Sequence, residues 1–231
     1  GRALASDLLV LHEAWALGVD IGMVLNPTST KQGMRDHLKI RQIPLMFDNG
    51  AYQAYKQDKA PNWDEAVKMA EELGADLIVA LDKIAETKEE AEESLRLSLE
   101  VFGSTHIETI VSLQAIALGQ SNWEQIKRHI HILIDKGVRI IGIPLVNANK
   151  LGNLKFALNA RWMIPRRVHA LGFPWGDKIC LRKLRFFESA DGTFWYIPSN
   201  MFDKAEKIQK LYLDIHSDPH IIPLDEPSEA I

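Results

Sequence analysis

The chain has 231 residues, of which 46% are hydrophobic and 25% are charged, a globular composition that allows one large α/β domain or two small ones. The formal net charge of −4 argues against a uniformly basic nucleic-acid binder. The single cysteine, Cys180, forms neither an internal disulfide nor a Cys-rich zinc site, which favours an intracellular, cytoplasmic location. No apolar run approaches the roughly eighteen residues of a membrane span, so we expect no membrane partner.

Short apolar or β-branched runs alternate with amphipathic stretches, which is typical of βαβ units in a parallel sheet. The predicted strands are 19–26, 43–48, 75–82, 107–114, 138–145, 166–173 and 185–191. The predicted helices are 29–39, 62–73, 87–102, 121–136, 149–159 and 176–183. Candidate capping boxes begin at Asn62, Thr87 and Ser121, each followed by Glu three residues later. Gly74 and Gly137 lie where helix ends need glycine.

This rhythm predicts an α/β fold of the (βα)8 type, a TIM-like barrel that is reduced or incomplete. No Pro/Gly/Ser-rich linker interrupts it, so we expect one barrel-like domain over 1–216, ending in a helix at 201–216, and an extended tail over 217–231. An eighth strand is unassigned, and the run from Leu8 to Leu11 is one candidate for it. A doubly wound open sheet is the competing architecture, although no GxGxxG turn follows the first strand.

In a parallel barrel, functional residues gather where strands end and the following loops begin. Those positions hold acids, amides and glycines: Asn26, Asp48, Asn49, Gly50, Gln53, Asp82, Gln114, Gly142, Gly172 and Asp191. Carboxylates can act as nucleophile or proton carrier, amides can hydrogen-bond a polar ring, and glycines let a flat ligand approach the backbone. Asp48 and Asp191 each end an apolar run and open a tight polar turn, so they are the leading candidates for the chemistry.

The same residues have structural alternatives. Asn-Gly and Asp-Gly pairs are strong hairpin signals, so 48–50 and 191–192 could be hairpin turns. Asp82 could cap the following helix. Gln114 and Gly142 could fill strand ends without a function.

Histidines offer a second set of candidates. His129 and His131 form a His-x-His pair, but residues two apart on a helix point to different faces, so we predict no metal site and no cofactor. His169 precedes the pocket positions on a strand, where it is either a pocket-wall or core histidine or a catalytic residue.

The ordered strand-end residues resemble the tRNA-guanine transglycosylase family, whose barrel carries Asp-Ser-Gly-Gly-Phe-Gln, Phe-Asp, Gln-Gly-Gly, a Gly-rich strand end and an Asp nucleophile. The similar segments here are 48–53, Leu81-Asp82, Gln114, Gly142-Ile143, 170–172 and Asp191. The likeness is closer to the short, zinc-less phage and bacterial relatives that insert 7-deazaguanine bases into DNA. Their His-Gly-Leu-Gly strand and Ser-Val-Asp-Ser-Thr-Ser-Trp run are similar to 169–172 and 189–195.

The chain also departs from the tRNA enzymes. Asn49 and Ala51 replace smaller residues, and Gln-Gly-Gly becomes 114–116, Gln-Ala-Ile. The Cys-rich zinc insertion and the Pro-Thr-Arg that follows the nucleophile are absent from the sequence. These departures favour DNA over tRNA as the polynucleotide.

The resemblance implies a base-exchange transglycosylase that replaces guanine with a 7-deazaguanine base. It implies that Asp191 is the nucleophile at C1′ and that Asp48 accepts a proton from the incoming base. The implied substrate-binding residues are Asp82, Gln114, Gly142, Ile143, Asn49, Gly50, Tyr52 and His169. Phosphates of the nucleic acid would face the basic region 155–185. The alternatives are a noncatalytic barrel that binds a purine or a nucleic acid, and a two-carboxylate glycoside hydrolase.

Overall fold

The computed structural model describes residues 22–27, 44–145, 156–157, 160–172 and 187–191. Within them lie seven strands, and each falls inside one of the predicted runs. They are β1 (Met23–Leu25), β2 (Leu45–Phe47), β3 (Leu77–Val79), β4 (Glu108–Ser112), β5 (Ile140–Pro144), β6 (Arg167–Leu171) and β7 (Ser189–Ala190). The central strands are apolar and mostly buried, which is typical of a parallel sheet covered by helices.

The seven strands form one sheet in chain order, and every neighbouring pair is parallel. A doubly wound sheet reverses its strand order part-way, so that alternative is wrong. The prediction of a barrel-like α/β fold is confirmed as a curled, seven-stranded parallel sheet. Its register sets Ser112, Gly142, His169 and Ser189 in one row across β4 to β7.

Four α-helices lie wholly within the described residues: α1 (Ala51–Lys56), α2 (Trp63–Leu73), α3 (Lys88–Val101) and α4 (Trp123–Asp135). Residues 156–157 and 160–162, between β5 and β6, are also helical. Thr87 and Glu90 form the predicted capping box of α3. Asn62 precedes α2 and its side chain accepts from the Glu65 N–H. The helix α2 ends at Gly74 with φ 70°, a left-handed conformation that glycine adopts without strain.

The start of α4 differs from the prediction. After β4 the chain makes two short 3₁₀ turns, Gln114–Leu118 and Gln120–Asn122. Ser121 lies inside the second turn, and α4 begins only after Asn122, whose side chain makes no capping hydrogen bond. The predicted capping box at Ser121 is therefore wrong, because the 3₁₀ turns move the helix start along the chain.

Side chains alternate between the two faces of the sheet, as the two-residue strand period requires. On the outer face, one core packs β2 and β3 against α2, and a larger one packs β4, β5 and β6 against α3 and α4. The inner face carries a smaller apolar cluster: Met46, Val79, Ile110 and Ile140. Helices thus cover the outer face of the curled sheet. On the inner face, polar residues lie towards the carboxyl ends of the strands.

Some predictions lie outside the described residues. They are the helices 29–39, 176–183 and 201–216, most of 149–159, the strand candidate from Leu8 to Leu11, and the tail 217–231. None of the helices in the described part of the chain is both long and apolar enough to cross a membrane.

Candidate active site

Polar side chains follow four strands at their carboxyl ends. Asp48 comes directly after β2, and its N–H donates to the Leu25 carbonyl at 2.7 Å, so the β1–β2 pairing continues to this residue. Because Met46 belongs to the inner cluster, the strand period turns the Asp48 side chain to the same inner face. Asp191 follows β7 in a similar way, with its N–H on the Ala170 carbonyl at 3.1 Å.

The 48–50 segment is a strand-to-helix loop. Because β2 is parallel to both of its neighbours, the hairpin alternative for Asp48 is wrong. Gly50 has φ 79° and immediately precedes α1, a conformation that favours glycine. Asn49 Oδ1 accepts from the Ala51 N–H at 2.6 Å, and the Gly50 N–H donates to Asp48 Oδ1 at 3.3 Å. These local bonds hold the Asp48 carboxyl at the start of the helix.

Asp82 is buried, and both of its carboxylate oxygens accept hydrogen bonds from side-chain amides. Asn49 Nδ2 donates to Oδ1 at 2.9 Å, and Gln114 Nε2 donates to Oδ2 at 2.7 Å. Burial raises the pKa of Asp82, although the bonds from the two amides and from Ser112 act in the opposite direction. Thr87, not Asp82, caps α3, so the capping alternative is wrong. The two amides therefore hold the Asp82 carboxyl group in a fixed position at the carboxyl ends of the strands.

Two serines of α3 hold the segment that carries Asp82. Ser94 Oγ accepts from the Lys83 N–H at 3.0 Å, and Ser98 Oγ donates to the Leu81 carbonyl at 2.8 Å. The serines lie four residues apart on one helix face, and both are fully buried. The backbone is therefore fixed on each side of Asp82.

Asp191 is anchored through one carboxylate oxygen. Its Oδ1 accepts from the Gly172 backbone N–H at 2.9 Å and lies 3.1 Å from Nε2 of His169. The other ring nitrogen, Nδ1, lies 2.7 Å from Ser189 Oγ. His169 is only 3% exposed. His169 is therefore a buried side chain in direct contact with Asp191.

Asp48 and Asp191 interact electrostatically, although β2 and β7 are five strands apart in the sheet order. In a flat sheet, five gaps of about 4.8 Å would separate them by about 24 Å, so the curl of the sheet brings them together. Burial and the negative charges of Asp82 and Asp191 raise the pKa of Asp48 to about 7, and backbone N–H groups offset this only in part. Asp48 is therefore about half protonated at neutral pH.

The remaining predicted binding residues that the structure describes are Gly142, Ile143 and Tyr52. A Cβ on Gly142 would lie 2.6 Å from Leu171 Cδ1, so the absence of a side chain here lets Leu171 pack closely against the backbone of β5. Ile143 is fully buried in the outer core, which leaves only its backbone to face a ligand. Tyr52, in the first turn of α1, is 39% exposed, and Lys56 Nζ lies 4.2 Å from its ring centroid. Tyr52 thus offers an accessible aromatic face beside the strand-end loop.

Two serines were missed by the sequence reasoning. Ser112 Oγ accepts from Gln114 Nε2 at 3.0 Å, and Ser189 contacts His169. Each lies two residues before a predicted site residue, Gln114 or Asp191, and therefore on the same strand face. The two-residue period was the signal that would have found both.

The His-x-His pair belongs to helix packing. His129 is 1% exposed, and its Nε2 lies 2.9 Å from Glu92 Oε1 on α3. Burial lowers the pKa of His129, against the opposing effect of Glu92. His131 is exposed on the same helix. Among the described residues no group of three or more His, Cys, Asp or Glu side chains is arranged to hold a metal ion.

Part of the basic region 155–185 is described, and two of its arginines pair with acids, whereas Arg166 donates to the Pro165 carbonyl. Arg161 Nη2 donates to Glu188 Oε1 at 2.8 Å, and Arg167 pairs with Glu108. Arg167 and Glu108 begin β6 and β4, so this pair lies at the opposite end of the sheet from Asp191. Arg167 is therefore badly placed to hold a phosphate near the strand-end acids, and the lysines of the region lie outside the described residues.

Comparison of the sequence with protein-family models and with curated proteins finds no match. The chemistry open to the site therefore follows from its own residues. They provide two carboxyl groups in unlike surroundings, a third carboxyl held by amides, and a histidine against one of the acids. Such a set can combine nucleophilic attack, proton transfer and recognition of a polar planar ring.

Proposed function

We propose that the protein is a base-exchange transglycosylase that replaces guanine with a 7-deazaguanine base in a polynucleotide, DNA in preference to tRNA. In this proposal the curled sheet is part of a reduced (βα)8-type barrel. The reaction passes through a covalent nucleotide ester of Asp191, and no cofactor takes part. The proposal extends the motif resemblance, and the geometry of the strand-end acids supports it.

The observation that carries the proposal is the difference in surroundings between two carboxyl groups that interact electrostatically. The pKa of Asp48 is raised to about 7, which suits a group that both gives and takes a proton near neutral pH. Asp191 accepts two hydrogen bonds on Oδ1, which fix the orientation of its carboxyl group for attack. Pairs of acids whose surroundings differ in this way commonly divide the proton-transfer and nucleophilic roles.

The proposed reaction has two half-reactions. In the first, a carboxylate oxygen of Asp191 bonds to C1′ while the C1′–N9 bond breaks, and protonated Asp48 gives its proton to the departing guanine N9. In the second, the Asp48 carboxylate takes the N9 proton of the incoming base. The N9 lone pair then attacks C1′, the ester bond breaks, and Asp191 returns as a carboxylate. This is the double displacement of retaining glycosidases applied to a nucleotide.

The base would lie on the inner face between the two acids. Asp82 and Gln114 would hydrogen-bond its polar edge. Their side chains are already held beside each other, since Gln114 Nε2 donates to Asp82 Oδ2 at 2.7 Å. Gly142 and Ile143 would contact the base through their backbone, and the exposed ring of Tyr52 would cover it. Because a glycosidic bond inside a duplex is hidden, the target nucleotide must be unpaired or flipped out.

Exchange of labelled guanine tests the proposal. The wild-type protein is incubated with radiolabelled guanine and single-stranded DNA, duplex DNA or tRNA, and label in the polymer is counted. We expect incorporation into DNA, none with Asp191→Asn, and a large loss with Asp48→Asn. Asp58→Asn, which changes an exposed loop acid, is the matched control and should keep full activity.

Other outcomes separate the alternatives. Oligonucleotide binding without incorporation by any variant would favour a noncatalytic barrel. Hydrolysis of a glycoside that contains no nucleobase would favour a glycoside hydrolase. Full incorporation by the Asp191→Asn protein would contradict the assigned nucleophile.

A further inference from the structure

The two oxygens of the Asp191 carboxylate are not equivalent. Oδ1 takes both hydrogen bonds, from the Gly172 N–H at 2.9 Å and from His169 Nε2 at 3.1 Å. Among the described residues, no hydrogen bond to Oδ2 is found. A carboxylate oxygen that accepts no hydrogen bond is the better nucleophile, because its attack requires no loss of a hydrogen bond.

The neighbours of His169 define how its ring is protonated. An ionised carboxylate only accepts, so Nε2 must carry the proton that points at Asp191. In a neutral ring Nδ1 then has no proton and accepts, and the Ser189 hydroxyl, 2.7 Å away, is its donor. The result is a directed chain in which Ser189 O–H donates to Nδ1 and Nε2–H donates to Oδ1.

The strand register keeps this chain in place. His169 and Ser189 are paired across β6 and β7, so their side chains share one face and one height in the sheet. Glu188 reinforces the pairing, because its Oε2 accepts from the Val168 N–H at 2.7 Å. The ring is buried and held at both nitrogens, and it cannot turn without losing two bonds.

We propose that His169 and Ser189 are positioning residues that hold Asp191 so that Oδ2 is the attacking oxygen, an inference that rests on the proposed transglycosylase function. Oδ2 bonds to C1′ as guanine leaves, and Oδ1 becomes the carbonyl oxygen of the ester. When the incoming base breaks the Oδ2–C1′ bond, the returning charge is shared with Oδ1, which still accepts from two N–H groups. His169 keeps its proton throughout, so its role is to orient and stabilise the carboxylate.

Two amide substitutions distinguish the hydrogen bond made by Nε2 of His169 from the one made by Nδ1. His169→Gln sets an amide N–H near the Nε2 position and keeps a donor to Asp191, whereas His169→Asn sets the amide near Nδ1 and loses that donor. We expect His169→Asn to slow single-turnover formation of the Asp191 adduct on a guanine-containing DNA oligonucleotide by about 10- to 100-fold, the effect of one bond to a charged group. His169→Gln should stay within about fivefold of wild type, because the conservative amide keeps the donor to Asp191.

The serine is tested by a matched pair. Ser189→Ala should slow adduct formation by about 3- to 10-fold, since the ring loses the donor that selects its tautomer, and Ser189→Thr should restore the rate. Long-range ¹H–¹⁵N spectra of the free protein, with the His169 signals assigned from His169→Gln, should show a neutral ring protonated at Nε2. In Ser189→Ala the population of the other tautomer should rise.

The outcomes distinguish the two proposals. If the wild-type protein forms no adduct, the transglycosylase function fails and this inference falls with it. If wild type forms the adduct but His169→Asn matches it in rate, only the positioning role is overturned. A ring protonated at Nδ1 in the wild-type spectra would also overturn it, whatever the activity.

Discussion

Asp48→Asn is predicted to abolish catalysis and yet stabilise the fold above neutral pH. The substitution keeps the size of the side chain and removes its ability to ionise. In the wild-type protein the unfolded side chain titrates near 3.8 and the folded one near 7, because burial and the charges of Asp82 and Asp191 oppose ionisation in the folded state. Ionisation of Asp48, which the proposed chemistry requires, therefore destabilises the folded state.

The magnitude follows from that difference in pKa. About three pH units at about 1.36 kcal/mol each correspond to at most about 4 kcal/mol. The sign is set by the raised pKa: the favourable contribution of protonated Asp48 is complete below about pH 4 and is lost as the pH rises through about 7. The advantage of the Asp48→Asn protein should thus grow from about pH 4 to about pH 7 and then stay constant.

Urea unfolding of the two proteins at a series of pH values measures this difference directly. Asp58→Asn, which changes an exposed loop acid, is the control for the exchange of an acid for its amide. A free-energy difference between wild type and Asp48→Asn that does not change between about pH 4 and about pH 8 would refute the reasoning, since it would mean that Asp48 ionises as easily in the folded protein as in the unfolded chain.

Three further predictions concern the same surface. Ser98→Ala should lower the free energy of unfolding by about 0.5 to 1.5 kcal/mol, because the part-buried hydrogen bond to the Leu81 carbonyl is lost, and urea unfolding without a change would contradict that hydrogen bond. Gly142→Ala should cost about 1 to 3 kcal/mol and weaken guanine binding, since the new Cβ would lie 2.6 Å from Leu171 Cδ1; unaltered stability and affinity would show that the inner face has spare room. Single-turnover guanine release, followed by rapid quench, should slow as the pH rises through about 7, because protonated Asp48 is the proposed acid, and a flat profile would exclude that role.

Much of the fold could be predicted because its signals are local. Each strand is a short apolar run between amphipathic helices, and in a parallel sheet the residues that follow such runs gather at one edge. That reasoning alone selected Asp48, Asp82 and Gln114, which the structure places at successive strand ends. The start of α4 could not be predicted from its capping pattern, because the 3₁₀ turns before it depend on how the chain leaves β4.

The finer features of the site depend on contacts between distant parts of the chain. Asn49 donates to Asp82 across 33 residues of sequence, and His169 meets Asp191 only through the β6–β7 register. The raised pKa of Asp48 requires burial and the curl of the sheet, neither of which a strand pattern specifies. The strand period could have selected Ser112 and Ser189, but their contacts with Gln114 and His169 appear only in the folded sheet.

The most direct test of the proposed function is mass spectrometry of the protein after incubation with a guanine-containing DNA oligonucleotide and denaturation. We predict a covalent nucleotide adduct on the peptide that contains Asp191, release of free guanine in equal amount, and loss of both with Asp191→Asn. Guanine release without any adduct, or an adduct on a different residue, would contradict the assignment of Asp191 as the nucleophile.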